Sequence, residues 1–185
     1  MNINVQRDFK KATLAYLKNK DVIQENFHGK LINIELDSKQ LSRILDQSAS
    51  TDVFYVDKKN MVFAVAMRFN FNFNWHNKVT IRYKRSSGSL TEYQKTINAF
   101  KNNSITASIG VQVDSDDNFN IYDGIIYDRK KLFHLIESNP DYFEEYHMHI
   151  VNEDKNKMLY FHYDFFRKNN IKHMKFKIKN PSYLF

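Results

Sequence analysis

The sequence has no cysteine, and only four glycines and two prolines among its 185 residues. Without cysteine there is no disulfide framework and no thiolate zinc site. So little glycine and proline excludes collagen-like and low-complexity chains. No G-x-G-x-x-G, Walker A or G-x-S-x-G pattern occurs, which sets aside dinucleotide-binding, P-loop and α/β-hydrolase readings. No apolar run approaches the roughly 18 residues of a membrane-spanning helix. The N-terminal "MNINVQRDFKK" lacks the apolar core of a signal peptide. These absences predict a cytoplasmic protein that does not associate with a membrane.

What is present is a core and a charge. Forty-two per cent of the residues are hydrophobic and sixteen are Phe. That is enough for one domain over residues 1–185. The formal net charge is +7, spread along the chain and not gathered in a tail. A basic surface favours a polyanion, so nucleic acid or a nucleic-acid-handling protein is the expected partner.

Periodicity predicts a helix over Gln6 to Lys18, a strand at 31–36, and a helix at 38–47 behind Asp37 as N-cap. Strands follow at 51–57, from Val62 to Trp75, and at 78–85. A helix is expected over 89–100, where "SLTE" reads as a capping box with Glu92 at its third position. Two strands then flank "DSDDN", read as a hairpin turn, and "RKKLFHLIES" forms a helix that stops at Asn139-Pro140. The tail adds "HMHIV", "MLYFHY", a short helix near "DFFRKN" and "HMKFKI". This order predicts an α+β fold with a central mixed sheet, an antiparallel meander and flanking helices.

The run from Phe63 to Trp75 is strictly two-faced. Odd positions are large and apolar; even positions pass from Ala64 and Ala66 through Arg68 to Asn70, Asn72 and Asn74. The next strand is also apolar at odd positions: Val79, Ile81 and Tyr83. Pairing the two through "HNK" sets Asn72 opposite Arg82 and Asn70 opposite Lys84. The ribbon would carry a basic, amide-rich face suited to nucleic acid, with Asn72, Arg82, Lys84 and Arg85 as binding candidates. Lys84 and Arg85 also precede a Ser/Gly loop at a helix start, a place where phosphate binds. One hairpin earlier, with "KKN" as the loop, Val56 opposes Val62 and Asp52 opposes Ala66. The Ala64/Ala66 face leaves room for a helix to come close.

This layout of helix, meander with Asp52, helix and further strands resembles the PD-(D/E)XK nuclease-like superfamily, over about residues 38–137. Residues 138–185 would then form a C-terminal α/β extension. The resemblance implies a restriction-endonuclease-like core and a Mg²⁺-dependent phosphodiesterase acting on nucleic acid. Asp52 matches the family's first acid. Where the family carries acid-x-Lys, this chain has Ala66-Met67-Arg68. Arginine stabilises charge but stays protonated, so it cannot serve as a base. Glu92 on the following helix is the candidate replacement acid. Asp52 and Glu92 would hold the metal, and Arg68 and Lys95 would stabilise phosphate charge. The alternative is a degenerate site that only binds nucleic acid. A third reading is a small interaction protein, of the kind phages and mobile elements encode, that modulates a nucleic-acid enzyme.

Two lesser patterns complete the reading. His147, His149 and His162 invite a three-histidine site, but a five-residue "EDKNK" loop turns His162 to the other face. "DSDDN" lacks the glycine and terminal glutamate of a calcium loop.

Overall fold

The computed structural model describes residues 3–33, 50–151 and 156–178. The expected helix at 38–47 lies outside these residues. The chain runs α1 (Ile3–Glu25), β1 (Lys30–Asn33), β2 (Val53–Val56), β3 (Val62–Asn70), a 3₁₀ turn (Phe73–Trp75) and β4 (Lys78–Lys84). It continues through α2 (Glu92–Lys101), β5 (Ser108–Ser115), β6 (Ile121–Asp128), α3 (Arg129–Ser138), α4 (Pro140–Tyr146), β7 (Met148–Val151), β8 (Asn156–His162), α5 (Tyr163–Lys168) and β9 (His173–Lys175). The α+β class and the mixed central sheet are as expected.

The central sheet has the order β1-β2-β3-β5-β6-β9. The meander β1-β2-β3 is antiparallel, β5 runs parallel to β3, and β6 and β9 are antiparallel again. The parity argument holds for the first hairpin: Val56 faces Val62 and Phe54 faces Ala64. Its turn is closed by Asp57, whose carboxylate accepts from the N–H groups of Lys59 and Met61. The odd face of β3 is core, as the pattern predicts. Val65 joins Val111, Val113, Ile23, Phe27 and Phe176 beneath α1, with Met67 and Phe69 packed against them. α1 is pinned to the β5–β6 turn by Lys11 on Asp117 (2.5 Å) and by Asn19 Nδ2 on the Phe119 carbonyl (2.8 Å). "DSDDN" is the hairpin turn expected: Asp116 accepts from the N–H groups of Asn118 and Asn120.

The second hairpin does not form. β4 pairs with β8, not with β3, in a separate three-stranded sheet of order β4-β8-β7. Asn72 therefore does not oppose Arg82, and there is no two-stranded arm. Odd parity in β4 describes a face and not a partner: Val79, Ile81 and Tyr83 are buried against Leu159, Phe161, Phe133 and Phe143. β3 ends at Asn70, where its pairing with β5 stops at Asp114. Beyond that, Asn72 accepts from the Asn74 N–H and starts the 3₁₀ turn. Asparagine side chains compete with the ladder for backbone groups, so this run leaves the strand early.

Three further expectations are corrected. α2 is capped by Thr91 with Gln94 in a capping box, so Glu92 is the first helical residue and not the box acid. The helix stop at Asn139-Pro140 is also a start, because proline suits the first position of α4. In the last hairpin Val151 faces Asn156. That register puts His162 on the parity of Tyr160 and Met158 and so on the face of His149, whereas His147, the cap residue before β7, packs its ring against Phe143, Phe161 and Phe165.

Candidate functional site

The even residues of β3 and β5 face away from α1 and lie side by side in register: Ala64 with Ser108, Ala66 with Gly110, Arg68 with Gln112, Asn70 with Asp114. This makes a small-then-polar surface on the central sheet. The small end takes in bulk from elsewhere: a Cβ on Gly110 would lie 2.0 Å from the Tyr127 ring. At the polar end, the Thr80 N–H of β4 donates to Gln112 Oε1 at 3.4 Å and Arg68 Nη1 reaches Thr80 Oγ1 at 3.4 Å. The outer strand of the second sheet thus docks on the first through polar contacts.

Glu92 is the centre of the charge arrangement. One carboxylate oxygen accepts from Arg68 Nη2, and the other accepts from Arg129 Nη2 at 3.1 Å. Burial alone would raise this carboxyl, but Arg68, Arg129 and Arg82 outweigh it and hold it below the usual carboxylate range. Arg129 is fully buried, donates to the Ser50 carbonyl and to Ser108 Oγ, and lies over the Phe133 ring. Its Nε has no hydrogen-bond partner among the described residues. Two guanidiniums therefore hold one carboxylate, and a third, Arg82, adds to its electrostatic field.

Asp52 lies on the adjoining edge. Its N–H donates to the Val65 carbonyl, and its Oδ2 accepts from the Met67 N–H at 2.7 Å, bracketing Ala66 as the register predicted. Lys95, half-buried, opens the next turn of α2 with its N–H on the Thr91 carbonyl. Arg68 and Glu92 are thus brought together, and Arg82 lies within electrostatic reach of them. Lys84 turns elsewhere, to Glu144 at 2.5 Å. Asn72 caps the 3₁₀ turn. Arg85 is half-buried in the loop after β4.

A divalent cation needs several anionic oxygens turned to one point. As placed, Glu92 gives both oxygens to guanidiniums and Asp52 gives one to a backbone amide. Among the described residues no group of three or more His, Asp or Glu side chains gathers.

Beside the arginines lies a pocket of about 210 Å³ whose walls include Asn70, Trp75, Thr80, Arg82, Met158 and Tyr160. Trp75 and Tyr160 stack at 4.3 Å between centroids, and Lys78 lies over the indole. Sequence reasoning missed three contributors: Arg129, Gln112 and Tyr160. Arg129 did leave a signal. A cation at the first position of a helix opposes the macrodipole, so some other interaction must hold it there. Gln112 and Tyr160 left none, because each reads as an ordinary polar or aromatic strand residue. No helix among the described residues is long and apolar enough to cross a membrane. Comparison with protein-family models, with curated proteins and with solved structures finds no match for the chain.

Proposed function

We propose that this protein binds nucleic acid through the pocket that Arg82 lines between its two sheets, with a nuclease-like core whose metal position has become an ion-pair centre. The observation that carries this reading is Glu92, held on both oxygens by Arg68 and Arg129 while Arg82 faces the neighbouring pocket. A carboxylate held this way locks helices to the sheet and leaves the cluster with excess positive charge, which suits a phosphate and not a Mg²⁺ ion. The order of meander, helix and parallel strand supports the restriction-endonuclease-like reading of the core. Phe73, 81% exposed on its capped 3₁₀ turn, supplies an aromatic surface on which a base could stack.

In the Mg²⁺-dependent alternative Asp52 and Glu92 would hold the ion, with Arg68 and Lys95 on the phosphate. The donors as placed do not fit that ion, so no catalytic step is derived through it. The test is binding of single- and double-stranded DNA and RNA across a salt series, with cleavage followed in Mg²⁺ and Mn²⁺. Affinity should fall linearly on a logarithmic salt scale. Arg82→Ala should weaken it about tenfold, the loss of one charge-assisted contact. Cleavage abolished by Asp52→Ala would replace the binder with the nuclease.

The interaction-protein reading has one observation of its own. The Tyr142 and Tyr146 rings on α4 meet at a tilt with centroids 5.1 Å apart and stand half or more exposed, and Ile150 on β7 is 64% exposed. An absence of binding to every nucleic acid would favour it.

A further inference from the structure

The second sheet ends on β7, whose outer edge has no strand beside it among the described residues. An open edge offers a row of backbone N–H and C=O groups, and lysines along it discourage pairing. The other edges are guarded or covered. β1 starts on Lys30, and β9 carries Lys175 between Lys172 and Lys177. β4 docks on β5 through its Thr80 N–H, which reaches Gln112. β7, Met148–Val151, carries no lysine, arginine or acid, and its Ile150 is exposed. Ile150 lies opposite Lys157, which reaches Glu144 of α4 at 3.9 Å, so Ile150 is on the α4 side of the sheet. On that side α4 presents Tyr142 and Tyr146, one helical turn apart and both exposed.

The charge around this edge is the reverse of the chain's. The net charge is +7, yet from Glu137 to Asp154 the sequence holds six acids and no lysine or arginine. Glu137 is taken by Lys101, and Glu144 by Lys84 and Lys157. Asp141 and Glu145, each next in sequence to one of the two tyrosines, are exposed and have no ion pair among the described residues. Glu153 and Asp154 lie outside the described residues. Such a face repels nucleic acid. It attracts a polypeptide with basic side chains, whose backbone can pair with the free edge of β7.

We infer that the α4–β7 face docks a basic, extended polypeptide segment, which adds to β7 as a further strand of the three-stranded sheet. Alternate side chains of that segment lie on the side of Ile150 and the tyrosine pair, and its lysines or arginines meet Asp141 and Glu145. The inference stands apart from the nucleic-acid reading and deepens the interaction-protein one, on whose exposed tyrosines it rests. A phage-displayed library of random linear dodecapeptides would be selected on the full chain at neutral pH. A chain of net charge +7 enriches acidic peptides wherever general attraction governs. The expected result is the opposite: peptides in which lysine or arginine alternates with apolar residues. The strongest of them, synthesised and followed by fluorescence anisotropy, should bind about tenfold more weakly to Ile150→Lys, Glu145→Lys and Tyr146→Ala. It should bind unchanged to Met61→Lys, which alters an exposed apolar residue in the β2–β3 turn. N-methylation of alternate amides along one edge of the peptide should weaken it about tenfold or more, because those amides no longer pair with β7. Enrichment of acidic peptides only, or of none, overturns the inference, as does indifference to N-methylation along either edge. Peptides that bind Ile150→Lys and Glu145→Lys as tightly as wild type overturn this face and leave the interaction-protein reading standing. A chain that sediments as a dimer, and as a monomer with Ile150→Lys, assigns the edge to a second copy and overturns the peptide.

Discussion

Glu92 is the residue on which most of the site depends. Replacing it with Gln leaves Arg68 and Arg129 facing a neutral amide, and Arg129 has no exposure through which to recover solvent. Removing one partner of a buried ion pair costs about 3–5 kcal/mol, so Glu92→Gln should move the urea midpoint down strongly at pH 7. The pH dependence has a definite sign. The folded carboxyl ionises below its ordinary value, so its stabilisation is complete above the unfolded pKa and is lost as pH falls through the depressed folded value. Wild type should therefore lose stability on acidification below about pH 4, and Glu92→Gln should lose less over the same range. Paired melts at pH 7 and pH 3 measure both effects. If the two proteins lose equally on acidification, Glu92 is not the group responsible.

At the scale of elements, the β3–β5 pair is set by small residues. Gly110 lies opposite Ala66, and the Tyr127 ring fills the space a side chain would occupy. Gly110→Ala would place its Cβ 2.0 Å from that ring, which is itself buried among Ile125, Leu132 and Phe166. Overpacking of this kind costs about 1–3 kcal/mol, and a thermal melt should show it. Strand faces were legible here, because alternation is a local property of the backbone. The length of β3 was not. The alternation continues to Trp75, yet the ladder stops at Asn70 opposite Asp114, because Asn72 turns the chain into the 3₁₀ turn. Likewise "SLTE" matched a capping box, while the box that forms is Thr91 with Gln94, since the Thr91 hydroxyl also bonds the Tyr83 carbonyl and anchors the helix start to β4.

For the whole molecule, the chain's last described strand matters out of proportion to its length. β9 pairs with β6, and Phe176 just beyond it joins the core beneath α1 while its ring covers Gly124. Phe176→Ala should cost about 3–5 kcal/mol, read as a lowered denaturant midpoint. A truncation that removes residues 171–185 would expose the β6 edge as well, and should yield a chain that aggregates or fails to melt cooperatively. A cooperative melt at the wild-type temperature would show that β9 is dispensable. The other end of the chain contributes too, since the Asn26 side chain, just after α1, accepts from the Lys177 N–H at 2.7 Å.

The amino-acid sequence by itself determined which strand faces are apolar, that no disulfide or thiolate metal site exists, that the net charge is strongly basic, and that "KKN" closes a hairpin in a definite register. Each of these follows from residue chemistry or from the two-residue period of a strand. Only the tertiary structure decided that β4 joins β8, that β5 lies beside β3, and that Arg129, 37 positions from Glu92, reaches its carboxylate. Those choices depend on how distant segments close on one another, and alternation carries no information about a strand's neighbour. Ala66 shows the difference. In the sequence it is a missing acid. In the fold its neighbours Arg68 and Asp52 are committed to Glu92 and to the β3 backbone.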